Sequence, residues 1–287
     1  MQNHPAAPDD EISLFDLWQT LVRRKWWVLG IPLLAVITAA VAVTFMKPQW
    51  DATATIQIGA VGQAGQAGQA AGQVIEPPAR VVARVNLKSF EDAVLASPGL
   101  SGQTTPEAKL FRGSLKVKAL PNTDLIEIKV RGYSWESAKR STEATVDYLH
   151  RIHQGMAATT VQRMKQFLAQ AEREIAQTKA EREKALKILD LKDKAISEAS
   201  FMGNIVLANI MVQRDNELRG LEQAKKGYEE QLDPMRTYPT SYIEKISVSE
   251  GPVAPKKSQI LVLAGVMGLF LGVVAAFLGN AFQARKY

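Results

Sequence analysis

The sequence predicts an α+β membrane protein with two transmembrane helices, a small membrane-proximal α/β base and a long helical periplasmic arm. Three observations support this fold class. An apolar stretch long enough to cross a bilayer lies near each end of the 287-residue chain. Short alternating segments typical of strands follow the first stretch, and helical periodicity then continues for about a hundred residues.

The first apolar stretch, residues 26–46, contains no charged residue and follows Arg23, Arg24 and Lys25. A helix of this length covers roughly 30 Å, the thickness of a bilayer core. We therefore expect a cytoplasmic tail at residues 1–25 and transmembrane helix 1 at 26–46. A cleaved signal peptide is disfavoured, because the apolar run is too long and the preceding tail is acidic.

The second apolar stretch predicts transmembrane helix 2 at residues 258–282, followed by a cytoplasmic tail at 283–287. Small residues recur at every fourth position of this helix and therefore share one face. They are Ala264, Gly268, Gly272 and Ala276. Such a face lets another helix approach closely, so we expect a helix-packing interface. Pro252, Pro255 and Lys256 form the segment that leads into this helix.

The basic residues that flank the two stretches indicate the orientation of the chain in the membrane. Five of them, Arg23, Arg24, Lys25, Arg285 and Lys286, lie at the outer ends, against three, Lys47, Lys256 and Lys257, at the inner ends. Cytoplasmic flanks carry the excess of basic residues. We therefore expect a multi-pass membrane protein with both termini cytoplasmic and a large loop on the far side of the membrane.

Residues 47–133 are predicted to form the first part of the base. Small and branched apolar residues alternate with polar ones between Ala52 and Ile58, as in a strand. The Gly-Gln-Ala repeat at 61–73 lacks the Lys and Ser/Thr of a phosphate-binding loop and indicates a flexible surface loop. A helix is expected at 80–97, and a strand, turn and strand at 115–130.

Residues 134–233 are predicted to form the helical arm, with Ser134 as the N-cap. Apolar residues are spaced in sevens along two stripes, and Gly203-Asn204 between the stripes was a candidate point of chain reversal. The economical geometry is an antiparallel helix pair. Four apolar residues that the pair does not need, Phe167, Ile188, Phe201 and Ile205, indicate lateral contact with other copies. A return strand within 241–249 and the proline-containing segment complete residues 234–257.

A search for catalytic chemistry finds no candidate catalytic, cofactor-binding or metal-ligating set, so we expect no enzyme. Cysteine is absent, which excludes disulfides and thiolate sites. His150 and His153 are one helical turn apart, but no third ligand falls in register, and a solvated helix face is the favoured interpretation. The net charge is +6 and the sequence contains no strongly basic block, so the composition does not support nucleic acid binding.

The order of these segments resembles the chain-length determinant (Wzz) family, polysaccharide co-polymerases of the bacterial inner membrane, here without a kinase domain. The resemblance implies that the large loop is periplasmic. The stretches that carry the resemblance are ISLFDLWQTLVRRKWWVLGIPLL, WDATATIQIGAVGQ, GQVIEPPARVVARV, LIEIKVRGYSWESAK and PVAPKKSQILVLAGVMGLFLGVVAAF. The glycine-rich second span after Pro252, Pro255 and Lys256 is similar to the family's most specific signature.

The resemblance implies a ring of identical subunits that regulates the chain length of a surface polysaccharide: O-antigen, exopolysaccharide or capsule. Its expected partners are a membrane polysaccharide polymerase and the growing lipid-linked polysaccharide. The small-residue face of the second span is then expected to pack on another copy or on that polymerase. In the kinases of related systems, a cytoplasmic nucleotide-binding domain follows the second span. Here only Arg285, Lys286 and Tyr287 follow it, so any kinase is expected to be a separate cytoplasmic protein. Two alternatives stay open: an adaptor that activates such a tyrosine kinase, and a periplasmic adaptor of a secretion or efflux system. The second span argues against the latter.

Overall fold

The computed structural model describes residues 21–63, 72–97, 100, 104–192 and 198–284. The chain divides into two compact units, Met1–Trp50 with Ser249–Tyr287 and Asp51–Val248. The elements in chain order are α1 (Lys25–Phe45), β1 (Trp50–Gln57), β2 (Ala60–Val61), β3 (Gln73–Val74), α2 (Pro78–Val85), α3 (Lys88–Leu95), α4 (Pro106–Ser114), β4 (Lys116–Ala119), β5 (Leu125–Gly132), α5 (Trp135–Lys192), α6 (Glu198–Leu232), β6 (Ser241–Tyr242), β7 (Ser247–Val248) and α7 (Lys257–Ala284). The predicted class, helices with a sheet and one long helical part, is confirmed.

The first unit is a pair of helices, α1 and α7, that pack against each other. Both are long and apolar enough to cross a bilayer, by length and composition. Their bounds agree within two residues with the predicted stretches 26–46 and 258–282. Pro32 lies inside α1 in its second turn, which a helix in lipid tolerates.

The second unit is built on a sheet in the strand order β4-β5-β1-β6, with β7 also pairing with β1. The hairpin of β4 and β5 is antiparallel, with Val117 opposite Ile128. Its turn contains Asn122 at a φ of 57°, a left-handed conformation that asparagine tolerates well. The predicted strand, turn and strand are confirmed. The predicted return strand is present as two short pieces, β6 and β7, both antiparallel to β1.

Alternating burial along the strands places one face of the sheet in the core. The fully buried side chains on this face come from β1, from the residue that follows it and from β5. They are Ile56, Ile58, Ile126, Ile128 and Val130. Helices α2, α3 and α4 and the first turns of α5 cover this face with Val81, Val85, Phe90, Phe111 and Leu149. The Gly-Gln-Ala repeat lies mostly outside the described residues.

The helix predicted at 80–97 is two helices, α2 and α3, with a break at Asn86-Leu87. Val81 and Val85 share one face of α2, and Phe90 and Val94 share one face of α3. Phe90 is five positions after Val85, so in a continuous helix its side chain would point about 140° away from that of Val85 and from the core. The break lets both pairs reach the sheet.

The predicted helical arm is an antiparallel pair, because successive contacts along the second half of α5 are made with progressively earlier residues of α6. Phe167 stacks on Tyr228 with ring centroids 5.6 Å apart. Ion pairs continue the register: Glu172 with Lys225 at 3.3 Å, Lys179 with Glu222 at 3.1 Å and Arg182 with Asp215 at 2.7 Å. The predicted reversal at Gly203-Asn204 is wrong, because both residues lie inside α6. Each of these residues destabilises a helix by about 1 kcal/mol or less relative to alanine, and the surrounding helix outweighs this cost.

Ser134 caps α5 as expected. The Ser137 N–H donates to Ser134 Oγ, and the Ser134 N–H donates to Ser137 Oγ, both at 3.0 Å. Two backbone donors at the helix start are thus satisfied reciprocally.

Candidate functional site

The small-residue face of α7 packs on α1 of the same chain. A Cβ placed on Gly268 would lie 2.6 Å from Pro32 Cα, and one on Gly272 would lie 2.9 Å from the Trp27 carbonyl oxygen. Neither distance leaves room for a side chain, so the backbones of the two helices touch at these glycines. Dispersion forces between closely packed backbones stabilise such helix pairs in lipid, where no hydrophobic drive joins them.

The other two small residues extend this contact. Ala276 is fully buried, and Ala264 is half-buried. At the far end of α7, the Arg24 guanidinium donates a hydrogen bond to the Gly279 carbonyl at 2.7 Å. The start of α1 thus meets the end of α7, so the helices are antiparallel. The structure places the chain's own first helix against this face, where the sequence analysis expected a helix of another copy or of a polymerase.

The segment that leads into α7 pairs with the residues that follow α1. The Val253 N–H donates to the Gln49 carbonyl at 2.7 Å, and the Gln49 N–H donates to the Ala254 carbonyl at 2.9 Å. Pro252 and Pro255 flank these two residues, and the Lys256 carbonyl accepts the first helical hydrogen bond, from Ile260. Because proline has no N–H, neither Pro252 nor Pro255 can donate a backbone hydrogen bond in this segment.

A buried polar cluster, formed by Glu76, Arg84, His153 and Thr240, lies in the second unit. Arg84 Nε and Nη2 donate to the Glu76 carboxylate at 3.0 and 2.9 Å. His153 Nε2 lies 3.4 Å from Glu76 Oε2, and His153 Nδ1 lies 2.6 Å from Thr240 Oγ1. Glu76, His153 and Thr240 are each at most 2% exposed.

A neutral His153 with its proton on Nε2 satisfies every contact in this cluster. Nε2–H then donates to Glu76, Nδ1 accepts from the Thr240 hydroxyl, and Thr240 Oγ1 accepts from the Gly59 N–H at 2.9 Å. Burial lowers the pKa of His153 more than the Glu76 carboxylate raises it. Burial alone would raise the pKa of Glu76, but the hydrogen bonds and charge of Arg84 hold it below its usual value.

The cluster corrects the expectation for the two histidines. His153 does not lie on a solvated helix face but in the core between α5 and the sheet. His150 donates from Nδ1 to the Thr240 carbonyl at 2.6 Å and accepts from Gln154 on its other nitrogen at 2.7 Å. In the described part of the chain, no group of three or more His, Cys, Asp or Glu residues could hold a metal ion.

Sequence reasoning missed Glu76, Arg84 and Thr240. The spacing of Glu76 and Arg84 is a weak local signal, because a carboxylate just before a Pro-Pro helix start can reach an arginine two turns into the helix. Nothing local connects either residue to His153 or Thr240, which are 77 and 164 positions after Glu76. The cluster ties three chain segments together, which is a structural role.

Comparison with known proteins gives one family match. Residues 10–107 match the family Wzz, chain length determinant protein. No curated protein matches the chain significantly. Among solved structures, a full-length bacterial polysaccharide co-polymerase is 16% identical, with a TM-score of 0.43, over 95% of this chain and 99% of that chain. A mutant of the Shigella flexneri lipopolysaccharide O-antigen chain-length regulator WzzBSF is 14% identical, with a TM-score of 0.22, over 72% of this chain and 100% of that chain. The match over residues 10–107 confirms the resemblance found in the sequence: this part of the chain is similar to the chain length determinant (Wzz) family.

Proposed function

We propose that the protein is a polysaccharide co-polymerase of the bacterial inner membrane. It regulates the chain length of a surface polysaccharide together with a membrane polymerase, acts as a homo-oligomer, contacts the growing lipid-linked polysaccharide and performs no bond chemistry itself. The observation that carries the proposal is the match of residues 10–107 to the chain length determinant family.

The helix pair supports the proposed topology. Since α1 and α7 are antiparallel, a chain that crosses a bilayer with both helices has its two termini on one side and Asp51–Val248 on the other. The excess of basic residues at the outer helix ends favours the cytoplasm for the termini. We propose that the segment of Pro252, Pro255 and Lys256, whose residues Val253 and Ala254 pair with Gln49, fixes the spacing of the two chain crossings on the periplasmic side.

The exposed apolar residues of the arm support the homo-oligomer. A two-helix arm leaves one broad side of each helix without a partner, and several apolar residues there are at least 40% exposed. They are Leu186, Ile188, Ile205, Val206, Ile210 and Val212. Exposed apolar surface of this extent is typical of protein contacts. Of the residues expected from the sequence, Phe167 is also exposed although it stacks on Tyr228, and the side chain of Phe201 lies outside the described part.

Deleting the gene and separating the surface polysaccharide by gel electrophoresis tests the proposal. We expect continued synthesis with an altered length distribution, restored by the wild-type gene. Complete loss of the polysaccharide would instead favour control of export or of a separate kinase, and an unchanged distribution would contradict the proposal.

A further inference from the structure

A groove with two exposed aromatic rings lies between the first three turns of α5 and the segment from β6 to β7. Its volume is about 640 Å³, within the usual range of ligand sites. One wall carries Trp135, Lys139, Glu143 and Asp147, which are spaced by four and therefore share a face of α5. The other wall carries Tyr242, with Ile243 beside it.

Both walls are held by regular structure. The reciprocal hydrogen bonds of Ser134 and Ser137 fix the start of α5, next to Trp135. Tyr242 pairs with Ile56 in the sheet, and the Ile243 N–H donates to the Thr55 carbonyl at 3.0 Å. The groove is therefore preformed, and binding in it costs little ordering of the chain.

The aromatic rings are available to a ligand. Trp135 is 47% exposed and Tyr242 is 40% exposed, so part of each ring is open to a ligand. Lys139 Nζ lies over the Trp135 ring, 5.4 Å from its centroid, and so places a hydrogen-bond donor beside the ring. Burial, with the charges of Asp147 and Glu143, raises the pKa of Tyr242, so its hydroxyl remains a donor at physiological pH.

Hydrogen-bonding groups of both kinds surround the rings. Glu143 and Asp147 are acceptors, and Lys139 is a donor. Lys139 Nζ lies 3.8 Å from Glu143 Oε1, longer than a hydrogen bond, so this pair is weakly engaged. With Glu244 and Lys245, the groove carries three acidic and two basic side chains, a net charge of −1, which does not favour an anionic ligand.

We infer that this groove binds a segment of an uncharged polysaccharide. A pyranose ring presents an apolar C–H face, which suits an exposed aromatic ring, and a rim of hydroxyls that both donate and accept hydrogen bonds. Charge-assisted hydrogen bonds from sugar hydroxyls to Glu143 and Asp147 add to the stacking on Trp135 and Tyr242. The inference rests on the proposed function and names where the growing polymer contacts the chain.

Calorimetric titration of the full-length protein in lipid nanodiscs tests the inference. The probe is the surface polysaccharide of cells that carry the gene, cleaved to short oligosaccharides. We expect Trp135→Ala and Tyr242→Ala to weaken binding at least tenfold, Glu143→Gln to weaken it about threefold, and Trp135→Phe to retain most of it, since the ring remains. Phe167→Ala, which removes an exposed ring of the arm, is the matched control and leaves binding unchanged.

The failure of this inference is distinguishable from that of the proposed function. If deletion of the gene alters polymer length while the wild-type protein binds no oligosaccharide, or Trp135→Ala and Tyr242→Ala bind normally, the groove is not a saccharide site and the co-polymerase function stands. If these variants lose oligomeric state on size exclusion in place of binding, the groove is an interface between copies and the inference is overturned. Because Glu143→Gln keeps the shape of an exposed side chain, it still tests the groove if an aromatic variant fails to fold.

Discussion

Glu76, Arg84, His153 and Thr240 join segments that lie far apart in the chain. Glu76 precedes α2, His153 lies in α5, and Thr240 immediately precedes β6. The close approach of Gly59 to Thr240 is part of this arrangement, because a Cβ on Gly59 would lie 2.6 Å from the Thr240 nitrogen. A buried ion pair is stable only when hydrogen bonds satisfy the remaining polar atoms, as they do here. The cluster therefore holds the start of the long helix on the sheet.

The buried histidine predicts a loss of stability at mildly acidic pH. Burial lowers the pKa of His153 from its ordinary value of 6.5, so below that pH the unfolded chain binds a proton that the folded chain does not. The free energy of unfolding then falls as the pH drops below about 6.5, by at most about 1.4 kcal/mol per pH unit, until the lower folded pKa is reached. Denaturant unfolding of the full chain in detergent at several pH values measures this slope.

A pair of substitutions assigns the slope to one residue. We expect His153→Gln to lower stability at neutral pH and to remove the fall in stability just below pH 6.5, since the titrating group is gone. His150→Gln leaves the contacts of His153 with Glu76 and Thr240 in place and retains the fall. An equal slope in wild type and His153→Gln would contradict the assignment. A further loss of stability is expected below about pH 4.5. The folded protein favours the ionised carboxylate of Glu76, as its lowered pKa shows, and this stabilisation is lost as the carboxylate is protonated.

Helix α7 depends on two glycines for its contact with α1. Gly268→Leu places a branched side chain where even a Cβ lies 2.6 Å from Pro32 Cα, so we expect the helices to separate. Gly30→Leu on α1 is the matched control, because nothing lies within 4 Å of a Cβ at that position. The chain contains no cysteine, so the pair Val36→Cys and Gly265→Cys gives a unique cross-link; a Cβ on Gly265 would lie 3.5 Å from Val36.

The oxidised cross-link measures the packing of the two helices in isolated membranes. We expect Gly268→Leu to lower its yield several-fold and Gly30→Leu to leave it unchanged. In cells, Gly268→Leu is then expected to shift polysaccharide length while the protein level stays normal. A normal cross-link yield in Gly268→Leu would show that the contact is not needed to hold the helices together.

The arm separates residues that hold its two helices together from residues that face outward. Leu218 is 8% exposed, and its truncation to alanine is expected to cost about 2 kcal/mol, the low end for a buried leucine, because a two-helix arm can partly collapse around the gap. Val212 is 59% exposed, and Val212→Ala changes stability by less than about 0.5 kcal/mol. Hydrogen exchange of α5 and α6 reports the difference. If Val212 instead faces another copy, its substitution weakens the oligomer on size exclusion without loosening the arm.

The features that could be predicted are those that follow from a pattern of residues over a short stretch of sequence. An uncharged run of 21 residues, the alternation from Ala52 to Ile58 and the spacing of sevens in the arm each depend on neighbours within a few positions. They located both apolar helices, the central strand and the antiparallel arm. The reciprocal cap of Ser134 was predictable for the same reason.

The features that were not predictable depend on what the fold brings together. The sequence predicts a packing face on α7, but only the structure shows that α1 of the same chain lies against Gly268 and Gly272. The residues around His153 in the sequence are typical of an exposed helix face. His153 is nevertheless buried, because it contacts Glu76 and Thr240 from distant segments. The break at Asn86-Leu87 follows from the position of the sheet, to which both Val85 and Phe90 must point.

The topology of the whole protein is tested by the sidedness of single cysteines, since no native thiol interferes. Met235 follows α6 and is 75% exposed, so Met235→Cys is expected to react with a membrane-impermeant maleimide in cells whose outer membrane alone has been opened. Asn3→Cys in the N-terminal tail is expected to react only after the inner membrane is disrupted. Because the helices are antiparallel, the two residues must lie on opposite sides whichever way the chain is inserted. Reaction of both cysteines from the same side would contradict a chain that crosses the membrane twice. The reversed pattern would place the arm in the cytoplasm, where it could not contact a polymer growing in the periplasm.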